Sequence, residues 1–374
     1  MIATMLAAVA LAAWAWLLIA QGGFWRARER DTTPLPDPPH WPEVVAVVPA
    51  RDEAAVIGRT VASLAAQDYP GPFRIVLVDD GSSDGTAALA AGPDRLAILA
   101  GAPLPPGWTG KLWAVRQGIA AAGAPRYLWL TDADIAHAPD TLRTLVARAE
   151  AGGLTLVTLM ARLRCRSLAE RALVPAFVFF FQMLYPFARV NRPGRTAAAA
   201  GGCMLVDREA LARAGGIEAI RGALIDDCAL GALMKRQGPI WLGLTTRAVS
   251  IRAYDDWRAV AAMIARSAYA QLGYSPFALA GTLAGLALVY AVPPALALAG
   301  HGPARLLAAA AWLAMALAFQ PTLRFYRRSP LWGLALPAIA AFYAGCTLAS
   351  ALAYWRGRGG MWKGRAQAAA GRAA

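Results

Sequence analysis

Apolar segments near both ends constrain this chain more than any other feature. Residues 2–20 (IATMLAAVALAAWAWLLIA) carry no charge and are long enough to cross a bilayer as one helix. Three further apolar runs occupy 277–299, 306–319 and 331–355, the middle one short and interrupted at Pro321. With hydrophobic residues at 58% and charged residues at 16% of 374 positions, the composition excludes a wholly soluble protein. No basic residue precedes the first run, whereas Arg26, Arg28 and Arg30 follow it, so an uncleaved anchor is expected in place of a removed leader. The expected organisation is an anchor at 1–22, a proline-rich linker at 23–42, one catalytic-type domain at 43–272, transmembrane segments at 273–356 and a basic tail at 357–374. The formal net charge of +14 gathers beside the apolar runs, at the three arginines above and at Arg324, Arg327, Arg328, Arg356, Arg358, Lys363 and Arg365. That is the positive-inside pattern and not a nucleic-acid footprint, so no nucleic acid is expected as a partner. Three crossings after the domain would put the tail on the opposite side of the membrane, unless one run is re-entrant. The four cysteines form no CxxC pair and have no histidine at ligand spacing, which points to free thiols in a reducing compartment.

Between the apolar ends the pattern changes. Short β-type runs at 44–48 (VVAVV), 74–78 (RIVLV), 95–99 (RLAIL) and 127–131 (YLWLT) alternate with amphipathic helical stretches. This spacing predicts βαβ units and a mostly parallel sheet covered on both faces. Ligands of such sheets bind at the carboxyl ends of the strands, so the polar residues just after each run become the candidates. The apolar stretch at 172–187 contains Pro175 and Pro186 and is expected inside this region, as an interfacial helix or part of an acceptor channel.

The strand-end loops are acidic. PARDEA follows the first run and DDGSSDGT the second, bringing Pro49, Arg51, Glu53, Asp79 and Asp80 to one edge. An aspartate there can accept hydrogen bonds from a base edge or a ribose, while Asp84 is expected to cap the next helix. The fourth run ends in TDADIAHAPD, with Asp132 and Asp134 one residue apart. Two such carboxylates can share a hard cation, Mg²⁺ or Mn²⁺, that also binds the diphosphate oxygens of a nucleotide-sugar. His137 is a further candidate ligand, set against the simpler reading of an ordinary side chain. Lys111 opens a helix after a glycine-bearing loop, where it could reach a phosphate. Asp226 and Asp227 begin another helix. Displacement at an anomeric carbon needs a base for the acceptor hydroxyl, a role assigned to Asp227 with Asp226 in support.

These blocks, in this order, resemble family-2 glycosyltransferases of the GT-A fold, on VVPARDEAAVIGRTVASLAAQDYP, IVLVDDGSSDGT, TDAD and IDD. The resemblance implies an inverting, metal-dependent hexosyltransferase in which Pro49, Arg51 and Asp80 contact the base. By the same resemblance Asp132 meets the ribose or diphosphate, Asp134 holds the metal and Asp227 is the catalytic base, while Glu53 matches an acidic position with a less direct role. PLPPGWTGKLWAV, LMARLRCRSLAERALVPAFVFFFQMLYPFA, AAAAGGCMLV and IRGALIDDCAL further resemble the hopene-associated glycosyltransferases of bacterial hopanoid clusters. That likeness implies a hopanoid or other polycyclic or isoprenoid lipid acceptor and a bacterial inner-membrane location, with the catalytic domain facing the cytoplasm. Processive relatives carry a QxxRW motif, where this chain reads RSAYAQLGYS at 266–275, so a processive polysaccharide synthase is the weaker alternative. A non-catalytic membrane scaffold would be expected to have lost an acidic block, and none is missing.

Overall fold

The computed structural model describes residues 1–362 and 365–368. Of the basic tail, residues 363, 364 and 369–374, Lys363 among them, lie outside the described residues. Two compact units emerge, one formed by Glu29–Arg164 and Arg189–Ala253, the other by Met1–Arg28, Cys165–Ala188 and the chain from Tyr254 onward.

The first unit is an α/β domain around an eight-stranded sheet. Its strands are β1 (Val44–Ala50), β2 (Phe73–Asp79), β3 (Leu96–Ala100), β4 (Tyr127–Leu130), β5 (Ile135–His137), β6 (Leu156–Arg162), β7 (Met204–Asp207) and β8 (Ile240–Ser250). They are ordered β3-β2-β1-β4-β7-β6-β8-β5. The β1–β2, β2–β3, β1–β4 and β6–β8 pairs are parallel, while β7 runs against both β4 and β6, and β5 against β8. The expected mostly parallel sheet is therefore present, with two antiparallel strands added. All seven residues of β1 are buried, as an unbroken apolar strand covered on both faces requires. The helix Gly110–Ala121 crosses β1 through Gly118, where an added Cβ would lie 2.4 Å from Val47 Cγ1. Strand order reverses between β1 and β4, so the crevice beyond their carboxyl ends is the natural ligand position. The incoming chain is stitched to this unit: Leu244 N–H donates to the Glu29 carbonyl, and buried Asp31 accepts from Thr245 Oγ1 at 2.6 Å.

The second unit holds the apolar helices. Among the described residues four helices are long and apolar enough to cross a membrane: Ile2–Ile19, Pro276–Ala299, Gly302–Phe325 and Leu336–Trp355. The run expected to break at Pro321 instead continues as one helix to Phe325, because lipid-compatible helices tolerate proline where neighbours satisfy the backbone. The helix Leu168–Leu184 belongs to this unit and not to the α/β domain where the sequence reading placed it. Its apolar face, through Leu173, Ala176 and Phe179, joins a core with Phe319, Leu323 and Ile339. Buried Glu170 at its start accepts the Arg166, Ser167 and Tyr254 amides, so this carboxylate is satisfied by backbone.

The span Pro276–Ala299 contains a π-helical turn at Ala287–Ala291 followed by Pro293 and Pro294. Neither proline can donate to the Val289 carbonyl. The Trp14 indole does so from the first helix, at 3.0 Å. In an apolar surrounding an unmade carbonyl bond is costly, which ties these two helices together. Trp14→Phe should therefore destabilise the protein by about 1–3 kcal/mol, seen as a lower thermal midpoint in detergent. Trp16→Phe, at a position 56% exposed, should leave the midpoint unchanged.

Candidate active site

The candidate catalytic and nucleotide-binding side chains lie in the α/β unit, and most reach the carboxyl edge of the sheet. Pro49 ends β1 in the buried sheet. Arg51 follows it and donates to the Asp80 backbone carbonyl, with its guanidinium 3.7 Å from the Asp80 carboxylate. Arg51 Nε is buried without a hydrogen-bond acceptor among the described residues. Asp52 turns the loop at φ 50°, a left-handed conformation that aspartate tolerates better than most residues, and accepts the Ser83 amide at 2.8 Å. Asp79 accepts from the Ser82 amide and hydroxyl, so it orders its own loop, while Asp80 is buried. Asp84 stands one residue before the N-cap, which is Gly85, so its bonds do more than cap the helix as expected. It accepts the Thr86 amide and hydroxyl and, with its other oxygen, the Ala54 amide, so it joins the loops after β1 and β2. These bonds hold its carboxyl below the usual range, the Thr86 hydroxyl contributing most.

Beyond β4 the chain delivers Asp132 and Asp134. Lys111 enters from the second residue of the Gly110–Ala121 helix, whose start is capped by the Thr109 hydroxyl. Its ammonium lies 2.8 Å from Asp132 Oδ1 and 3.0 Å from Asp226 Oδ2. Burial pulls the Lys111 pKa down, but Asp132 and then Asp226 outweigh it and hold it well above its ordinary value. Asp132 is nonetheless held above the carboxylate range, first by desolvation and then by Asp134, against the pull of Lys111. Asp134 Oδ2 accepts from Arg252 Nε at 2.7 Å, and the other end of that guanidinium grips both oxygens of Glu53 at 2.5 and 2.7 Å.

Asp226 and Asp227 occupy the first turn of the helix Asp226–Lys235, where negative charge is favoured by the helix dipole. Asp227 Oδ2 accepts the Gly201 amide at 3.0 Å and Oδ1 the Cys228 amide at 2.7 Å. Desolvation, then Asp226, pushes its pKa up to about 6 against the opposing effects of Lys111 and the two amides. Gly201 lies just before β7. Because β7 is antiparallel to β4, pairing Met204 with Leu130, its beginning faces the edge that β1, β2 and β4 meet with their ends. The helix itself packs through Gly231, where a Cβ would sit 2.7 Å from the Ala198 carbonyl carbon.

His137 is not available to a metal. It is buried on β5, edge-on to the Trp129 ring, with Nε2 2.9 Å from the Thr131 hydroxyl. That hydroxyl donates to the Gly202 carbonyl at 2.9 Å, so Nε2 carries the proton it shares with Thr131. Burial drives the His137 pKa down to about 3, leaving a neutral ring that braces the strand before Asp132.

Among the described residues no three His, Cys, Asp or Glu side chains converge to hold an ion unaided. The donor set nevertheless fits a hard divalent cation. Asp132 Oδ2 and Asp134 Oδ1 take no hydrogen bond among the described residues. A cation bound through one or two carboxylates completes its shell with substrate phosphate and water.

Three features escaped sequence reasoning. Arg252 lies two residues past β8, and the rule of inspecting polar residues after strands would have found it had β8 been recognised. Gly201 acts through its amide and leaves no side-chain signal, and Thr131 works only in concert with His137. Arg266 and Gln271, in the 266–275 stretch that stands where processive relatives carry QxxRW, belong to the helical unit, where Gln271 donates to the Tyr185 hydroxyl at 2.7 Å.

Comparison with known proteins agrees with this architecture. The profile of the family described as glycosyltransferase like family 2 matches residues 42–249. The chain is 37% identical over 143 residues to the succinoglycan biosynthesis protein ExoO of Rhizobium meliloti (strain 1021), a match spanning 36% of this chain and only 40% of that protein. Among solved structures, a mannosyltransferase from Pyrobaculum calidifontis, in complex with GDP-Man and Mn²⁺, superposes with a TM-score of 0.57. That match has 20% identity and covers 92% of this chain and 99% of the other, which establishes a GT-A-like fold.

The packing at Gly231 carries a direct test. Gly231→Ala should force the helix off the Ala198 backbone and cost about 1–3 kcal/mol, measured as a lower thermal midpoint. Gly285→Ala, in a helix where a Cβ meets nothing within 4 Å, should leave the midpoint unchanged or raise it.

Proposed function

The chain belongs to glycosyltransferase family 2, and from that premise we propose that it transfers one sugar from a nucleotide-sugar, with inversion, to a lipid in the membrane that its apolar helices enter. The observation that carries this reading is Asp227. Its carboxylate is oriented by two amides and lies close enough to Lys111 to feel its charge, at the edge where Asp132 and Asp134 end β4.

In this reading the loops after β1 and β2 take the nucleoside. Arg51, whose Nε is a buried donor without an acceptor, and buried Asp80 offer complementary groups to a base or ribose. Pro49, at the end of β1, fixes the start of the first of these loops. Asp132 and Asp134 would hold Mg²⁺ or Mn²⁺, which when bound neutralises charge on the diphosphate as the sugar leaves. Lys111 adds a fixed positive charge at a helix start on the same side. Asp227 accepts the proton of the acceptor hydroxyl as its oxygen bonds to the anomeric carbon. The bond from that carbon to the diphosphate oxygen breaks, and its electron pair departs with the nucleoside diphosphate. Asp226, bound to Lys111, raises the basicity of Asp227 through its own charge.

The resemblance to hopene-associated enzymes supports a hopanoid or other polycyclic or isoprenoid acceptor, and the juxtamembrane arginines support a bacterial inner membrane with this domain in the cytoplasm. A second reading, sugar addition during polysaccharide assembly, is favoured by the similarity to a succinoglycan biosynthesis protein. Incubating membranes that contain the protein with labelled nucleotide-sugars separates them: a single labelled lipid extracted into organic solvent supports the first, and long water-soluble chains support the second.

Two outcomes are expected of the site. Asp227→Asn should abolish transfer while donor affinity stays within about twofold, and transfer at the wild-type rate would remove Asp227 from the role of base. Since a base works ionised, activity should rise with pH through about 6. Lys111→Met, which removes a charge that lowers the Asp227 pKa, should move that limb to higher pH, as a pH–rate profile would record.

A further inference from the structure

The geometry points to Arg252 as a positioning residue for the divalent cation, fixing the Asp134 carboxylate so that one oxygen is engaged and the other is presented. This rests on the reading of Asp134 as a ligand of that cation. Arg252 follows the last residue of β8 by two positions, and three of its hydrogen bonds run to carboxylates. Nε meets Asp134 Oδ2 at 2.7 Å, while Nη2 meets Glu53 Oε1 and Oε2 at 2.5 and 2.7 Å. A planar guanidinium whose Nη2 is held by Glu53 has little freedom to swing, so the Asp134 carboxylate bound at its Nε is fixed as well.

Glu53 is itself anchored. Its amide donates to the Thr86 hydroxyl at 2.8 Å, its side chain is buried, and the neighbouring Ala54 amide is held by Asp84. The Ile251 amide, next to Arg252, donates to the Asp134 carbonyl at 2.9 Å. Side chain and backbone thus clamp the Asp134 segment to the end of β8, and Glu53 links that clamp to the loops after β1 and β2. Asp134 Oδ1 is left without a hydrogen bond among the described residues, the arrangement a ligand oxygen needs. Outer partners that orient a ligating carboxylate typically contribute about 10–100-fold in metal affinity.

The sign of the effect separates orientation from simple charge. If Arg252 acted only as a positive charge beside the site, its removal would reduce repulsion and tighten cation binding. If it orients Asp134, its removal weakens binding. The experiment is an electron paramagnetic resonance titration of the full-length protein in detergent with Mn²⁺ alone, with thermal midpoints measured alongside. Arg252→Gln should weaken Mn²⁺ binding about 10–100-fold. Arg252→Lys keeps the charge but cannot bridge both carboxylates in the same fork, and should also weaken it. Unchanged or tighter binding in a folded Arg252→Gln protein overturns the inference. Should that variant melt early, wild-type affinity in Arg252→Lys overturns it equally. Asp134→Asn locates a failure: loss of Mn²⁺ binding there, with Arg252 variants unaffected, sinks the role of Arg252 alone, whereas retained binding sinks the metal reading beneath it.

Discussion

At the carboxyl edge of the sheet the ammonium of Lys111 stands between Asp132 and Asp226, and the rest of the site is arranged around that charge. Four aspartates come to this edge from two segments far apart in sequence, and without a cation among them their repulsion would push the segments apart. Lys111 offsets part of it, yet the Asp132 pKa stays raised by desolvation and Asp134, and Asp227 reaches about 6 by desolvation and Asp226. The edge therefore stays electron-rich, suited to receiving a cation, and holds one carboxylate basic enough to take a proton.

Hydrogen bonds between loops convert separate strand ends into one surface. Asp84 joins the loops after β1 and β2, Arg252 joins those after β1, β4 and β8, and the Asp227–Gly201 bond brings in the start of β7. Each connection uses a carboxylate, and on Asp134 the second oxygen is left open among the described residues. His137 illustrates the reverse: a residue type suited to metals is buried on β5 with its Nε2 engaged in bracing Thr131.

The helical unit follows a different economy. Away from water every backbone carbonyl needs a partner, and prolines in spans create unmatched ones. The Trp14–Val289 bond answers one such deficit and ties the first helix to that span.

How much of this was legible before folding depended on whether a function left a side-chain signal in a single segment. The apolar runs, the alternation of short strands with helices, and the acidic loops after β1, β2 and β4 are local patterns, and each corresponds to an element of the structure. Lys111 and Asp226 were visible as residues at helix starts, but their direct contact across more than a hundred positions was not. Arg252 and the Gly201 amide were silent because their importance comes from partners brought near by antiparallel β7 and by the long β8. The Leu168–Leu184 helix was placed in the wrong unit for the same reason, since an apolar sequence states that a face will be buried and not against what. The sequence alone thus determined the class of fold, the membrane segments and the set of carboxylates, since periodicity, hydropathy and charge are properties of neighbouring residues. Only the tertiary structure decided which carboxylate meets Lys111, which meets Arg252 and which is left basic, because those outcomes depend on distances between residues that the chain itself keeps far apart.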